Sequence, residues 1–213
     1  MRKLLLTTAA VAAALCLAGC SKKEPVSEIP NTFTDTRDGQ TYKTVKIGTQ
    51  TWIARNLNYQ TDSSWCYENN ADSCNKYGRL YDWNTAKMVC PAGWKLPDKD
   101  DWKRLVTTVE QKAVAVTLTS KALKSKVGWS DYNGKCVDCT DDFGFSALPG
   151  GKRYSDGHFA YAGGDGQWWT ATEEYNSDRA YSRSLCYNDH IGIEVNLGNK
   201  SASLSVRCVA DRP

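Results

Sequence analysis

The chain has 213 residues, 41% of them hydrophobic and including eight Trp and eleven Tyr, which excludes a disordered polymer and fits a globular protein. Its formal net charge of +3 comes from 27 basic against 24 acidic side chains, an excess too small to imply nucleic acid as a partner.

Arg2 and Lys3 open the chain, and an uncharged apolar run from Leu4 to Leu17 follows. That run is shorter than the roughly 20 residues a permanent spanning helix needs, and it fits the apolar region of an export leader. It ends Leu17-Ala18-Gly19-Cys20, which resembles the bacterial lipobox. The resemblance implies acylation of the Cys20 sulfur, cleavage before it, and attachment to a membrane through acyl chains. Ser21 resembles an outer-membrane sorting position, so the expected location is the cell envelope at the outer membrane. Residues 1–19 form the expected signal peptide and 20–32 a lipidated tether with two prolines and mixed charge. Without Arg2 and Lys3 the balance falls to 25 basic against 24 acidic residues.

Beyond the tether, Val45 and Ile47 alternate with polar residues, Gly48-Thr49 supplies a turn, and Trp52 and Ile53 lie on the return run. This pattern predicts a β-hairpin. A polar loop between Cys66 and Cys74 follows, then YGRLYDWNTAKMV, whose Leu80, Trp83, Ala86 and Met88 suit a short helix or turn. Pro97-Asp98 opens the clearest helix: Asp98 is placed to cap the amide of Asp101, and Trp102, Leu105, Val106 and Val109 recur at helical spacing. A second helix is predicted over Thr119 to Lys126. After it come loops and short apolar runs punctuated by Gly, Asp and Asn at strand-turn intervals. The expectation is one α+β domain over residues 33–213, with an N-terminal hairpin, two helices and a loop-rich antiparallel sheet.

Of nine cysteines, Cys16 belongs to the leader and Cys20 is the expected anchor, leaving seven. An exported chain so supplied is expected to hold disulfides. Cys66 and Cys74 read as a local staple. Cys136 and Cys139 read as a loop disulfide, with metal binding or redox chemistry as the alternatives. Cys186 is the candidate for the odd thiol.

The strings DGQTYKTVKIGTQTWIARNLNY, YGRLYDWNTA, CPAGWKLPDKDDW, DDFGFSALPGG, WWTATE and SVRCV, in that order, resemble the Fibrobacter succinogenes major paralogous domain. That family is named for its abundance, so the resemblance implies no activity. CPAGWKLPDKDDW and SVRCV also resemble, more distantly, parts of C-type lectin-like domains and of the formylglycine-generating enzyme fold. The lectin-like pattern implies a Cys90–Cys208 bridge and a lectin-like version of the α+β fold.

The calcium-binding Glu-Pro-Asn and Trp-Asn-Asp signatures of sugar-binding lectins are absent from the sequence. Loop carboxylates at Asp131, Asp138, Asp141, Asp142, Asp156 and Asp165 leave a structural calcium site as a candidate, although loop Asp usually satisfies turn amides. His158 and His190 lack a partner in any recognisable nucleophile arrangement and read as polar loop residues. Aromatic residues crowd the later half, where Trp168, Trp169, Tyr154 and Tyr161, with Asp131 and Asp156, are the candidate ligand contacts; the competing role for each aromatic is core packing. The expected function is a non-catalytic envelope module binding a glycan or a surface protein through loops between Gly128 and Gly166, with no cofactor. The alternatives are an enzyme with a reactive Cys186 and a structural surface or assembly protein.

Overall fold

A computed structural model describes residues 31–112, 118–130, 136, 139–187 and 193–211. The expected leader, Cys20, the tether up to Pro30, Asp131, Asp138 and His190 lie outside them.

Strand β1 (Thr32–Thr34) pairs with β2 (Thr41–Ile47), which returns through Gly48-Thr49 into β3 (Gln50–Ile53) with Val45 opposite Trp52. Gly48 takes a positive φ at this turn, and a Cβ there would fall 2.9 Å from Thr108. The predicted hairpin is present. Strand β4 (Ser64–Trp65) and a 3-10 turn (Tyr67–Asn69) lead to helix α1 (Ala71–Tyr77), where the sequence predicted a loop. Asn70 starts α1 by accepting the Asp72 amide at 2.9 Å. Strand β5 (Leu80–Asp82) runs into α2 (Trp83–Val89), and Asp82 caps it through the Thr85 amide. Each of these helices has seven residues, about two turns, too few for a helical period to declare itself in the sequence.

Strand β6 (Trp94–Lys95) precedes α3 (Lys99–Lys112), followed by α4 (Leu118–Leu123), which stops three residues short of the predicted Lys126. Asp98 accepts the Asp101 amide at 2.7 Å, and Asp101 reciprocates to the Asp98 amide at 3.1 Å, a capping box built from two aspartates. Asp101 is buried and also meets Lys95 Nζ at 3.1 Å and Arg104 Nη2 at 2.5 Å. Burial pushes its pKa up, but the Asp98 amide, Lys95 and Arg104 outweigh burial and hold it below the ordinary value.

The remaining strands are β7 (Lys152–Arg153), β8 (Phe159–Ala160), β9 (Asp165–Glu173), β10 (Arg179–Cys186), β11 (Glu194–Asn199), β12 (Ser203–Ser205) and β13 (Val209–Ala210). They complete two sheets among the described residues. One orders β1-β2-β3-β13-β6; the other orders β11-β10-β9-β12-β5-β4, with the β7–β8 hairpin paired to β12. The fold is therefore α+β, with four helices in the described chain rather than two. Most pairing is antiparallel; β12 and β9 run parallel where Ser205 meets Trp168.

Three disulfides tie these parts. Cys66–Cys74 joins the 3-10 turn to α1, Cys136–Cys139 closes a short loop, and Cys90–Cys208 links the end of α2 to the chain just before β13, across 118 residues. Cys186 ends β10, half-buried, and stands outside the three bridges.

Two apolar clusters fill the interior, one around Trp83, Trp169 and Val206 and the other around Trp52, Trp102, Phe145 and Trp168. Running into the core is a polar hub. The Arg207 guanidinium is fully buried and donates to the carbonyls of Ile53, Phe145 and Ser146 and to Asn56 Oδ1 at 2.9 Å. The same Asn56 oxygen accepts Trp168 Nε1 at 2.8 Å, while Asn56 Nδ2 donates to the Tyr77 carbonyl and to Ser205. Burial draws the Arg207 pKa down to about 9, with Asp141 opposing the fall, so the side chain stays charged at neutral pH. Gly78 and Gly150 let the backbone pass this close, since a Cβ at Gly78 would lie 2.8 Å from the Leu57 carbonyl and one at Gly150 2.9 Å from Ser205 Oγ.

Candidate functional site

A cleft of about 340 Å³ opens where β7 approaches β9, β10 and β11. Sheet register creates it. On β9, β10 and β11 the pleat sends Gln167, Trp169, Ser182 and Asn196 to one face, with Trp169 opposite Ser182 and Ser182 opposite Asn196. Trp169 lies beneath the floor: its indole is fully buried, its Nε1 donates to the Tyr81 carbonyl at 2.8 Å, and its six-membered ring sits 3.0 Å from where a Gly198 Cβ would be. Leu204 and Ala202 form the apolar floor above it.

The walls are polar. Gln167, Ser155 and Ser182 line the cleft, and their side chains make no hydrogen bond among the described residues. Asn196 Nδ2 donates to Ser184 Oγ at 2.8 Å, leaving its carbonyl oxygen for another donor. The β7–β8 hairpin supplies the rim. Gly151 enters the hairpin just before β7 with a positive φ, where a Cβ would come within 2.4 Å of the Ala160 carbonyl, and Lys152 follows it at the cleft edge. Lys152 lies with its ammonium 4.2 Å from the centre of the Tyr154 ring and 5.3 Å from that of Tyr161. The two tyrosine hydroxyls approach at 3.4 Å, and this contact, ahead of the nearby Asp165 charge, raises the Tyr161 pKa.

This geometry sorts the ligand contacts expected from sequence. Tyr154 lines the cleft, and Tyr161 stands exposed beside it. Trp168 and Trp169 do not face a ligand: both indoles are fully buried, Trp168 in the polar hub and Trp169 beneath the floor. Both faces of β9 are packed, so adjacent residues that point in opposite directions are each covered. Asp156 is at the hairpin tip and not in the cleft, where it accepts the His158 amide at 3.2 Å and meets His158 Nδ1 at 2.6 Å. Those contacts, the amide first, lower its pKa. Asp131 lies outside the described residues. His158 stacks on Tyr154 with ring centres 4.1 Å apart, which braces the rim.

For the candidate calcium carboxylates, the described chain gives mostly turn chemistry. Asp141 accepts the Ser146 amide and hydroxyl, and Asp142 accepts the Thr140 hydroxyl. Among the described residues no group of three or more His, Cys, Asp or Glu side chains is placed to hold a metal ion. No described helix is long and apolar enough to cross a membrane.

Residues 45–210 match the sequence model of the Fibrobacter succinogenes major domain. The chain belongs to this family. No curated protein and no solved structure matches the chain significantly. The strings that resemble the Fibrobacter succinogenes major domain fall mainly on the fold interior: NLN carries Asn56, YGRLYDW carries Gly78, FGFSALPGG carries Phe145 and Gly150, and SVRCV carries Arg207 and Cys208. The cleft draws Lys152, Ser155, Ser182 and Asn196 from outside those strings, so the family signature does not point to it.

Proposed function

We propose that this chain is a non-catalytic, envelope-anchored binding module whose cleft takes a saccharide. The observation that carries the reading is the juxtaposition in the cleft of Gln167, Ser155 and Ser182, without internal hydrogen-bond partners, and an apolar floor of Ala202 and Leu204 laid over the buried Trp169. Sugars present hydroxyl edges and an apolar C–H face, and such a mixed wall suits both. A volume of about 340 Å³ lies at the lower end of small-molecule sites, enough for one or two sugar rings. Lys152 is the one charged residue among those lining the cleft, so the lining offers no acid–base pair for glycoside cleavage.

Acylation at Cys20 would hold the domain at the envelope, and residues 21–32 would set it off from the membrane. Oxidised Cys90–Cys208 suits an exported protein, and its tie between the end of α2 and the closing strand supports a lectin-like reading of the α+β fold. The test is the full chain applied to an immobilised panel of oligosaccharides, with Gln167→Ala and Asn196→Ala alongside. Binding that falls several-fold in both variants supports the reading. No binding to any saccharide by folded protein, or binding indifferent to both substitutions, overturns it.

A further inference from the structure

We infer that the cleft selects acidic saccharides, with the Lys152 ammonium holding an anionic group on the sugar; the inference rests on the saccharide reading above. Lys152 is half-buried between two tyrosine rings, yet among the described residues it makes no ion pair. The nearby acids are engaged elsewhere or turned aside. Asp156 bonds His158 at the hairpin tip, and Asp165 begins β9 close enough to act on Tyr161 but forms no ion pair with Lys152. Glu194 pairs across the sheet with Ser184 and accepts its hydroxyl at 3.4 Å.

A partly desolvated ammonium without an acid is costly, and two aromatic faces offset only part of that cost. An incoming anion would complete it with a charge-assisted hydrogen bond, stronger than any neutral contact the cleft offers. The position also gives direction. With the anion at the Lys152 end, the sugar ring lies over the floor, its hydroxyls reaching Gln167 and Ser182 and then Asn196, toward the neutral end of the cleft. Carboxylate and sulfate ester share this chemistry.

The test titrates full-length protein with three oligosaccharides of matched length: a uronic-acid oligomer, its carboxyl-reduced neutral counterpart, and a sulfated neutral oligomer. The uronate, the sulfated oligomer or both should bind at least about tenfold more tightly than the reduced chain. Lys152→Gln should erase that preference, and Lys152→Arg should restore most of it. If the reduced chain binds as tightly as both acidic ones, or if Lys152→Gln leaves the preference intact, the inference is overturned and the saccharide reading stands. If none of the three nor any panel member binds, the underlying reading fails with it.

Discussion

The hub around Asn56 and Arg207 and the cleft behind the β7–β8 hairpin draw on neighbouring strands yet treat polar groups in opposite ways. In the hub, Asn56 uses both its oxygen and its amide on interior partners, and Arg207 reaches three backbone carbonyls as well. In the cleft, Gln167, Ser155 and Ser182 are left without such partners, beside an ammonium that has no acid. Polar groups satisfied inside a fold specify that fold; polar groups held in place and left open are available to a ligand. The family signature lies mainly with the first set, which is why membership fixes a fold more readily than a ligand.

The comparison breaks most sharply at Arg207. Arg207→Ala takes the guanidinium donors from the Ile53, Phe145 and Ser146 carbonyls and leaves the Asn56 oxygen with Trp168 Nε1 alone, so chemical denaturation should show a loss of about 3–5 kcal/mol. A loss below about 1 kcal/mol would mean the hub contributes little to stability. Next comes the long bridge: Cys90→Ser with Cys208→Ser releases a 118-residue separation in the unfolded chain and should lower stability by about 4 kcal/mol. An unchanged denaturation midpoint in the double variant would show that the bridge is not formed.

A smaller effect is expected at Asp101. Its pKa is depressed in the folded state, so its contribution is fully present above the unfolded pKa, near pH 4, and disappears as pH falls through the lower folded value. Asp101→Asn should therefore cost about 1–2 kcal/mol at neutral pH and progressively less in strong acid, measured as denaturation midpoints across pH. A difference independent of pH would contradict the charged contacts to Lys95 and Arg104. The smallest effect belongs to the cleft: Gln167→Ala should shift folding stability by no more than about 0.5 kcal/mol. A larger loss would place Gln167 with the hub and remove it from recognition.

How much of each region was legible in sequence follows from range. The hairpin through Gly48, the Asp98 cap and the Trp102–Leu105–Val109 stripe are local patterns, and each forms as the local chemistry dictates. Asn56 lies in a string that marks the family, but its partners Trp168, Ser205 and Arg207 are more than 100 residues away, and no local signal pairs them. The cleft was harder to see, because Gln167, Ser182 and Asn196 meet only through the register of three strands. Trp168 and Trp169 invited a ligand-facing role because aromatic residues crowd the later half of the chain, and large aromatics serve binding sites as well as cores. Packing on both faces of β9 removes that choice.

The most direct measurement is amide chemical-shift mapping of the isotopically labelled full chain during titration with a uronic-acid oligosaccharide. The account expects progressive shifts at Lys152, Gln167, Ser182 and Asn196, with Asn56 and Arg207 unmoved. Shifts confined to another surface, or none at millimolar ligand, would contradict it.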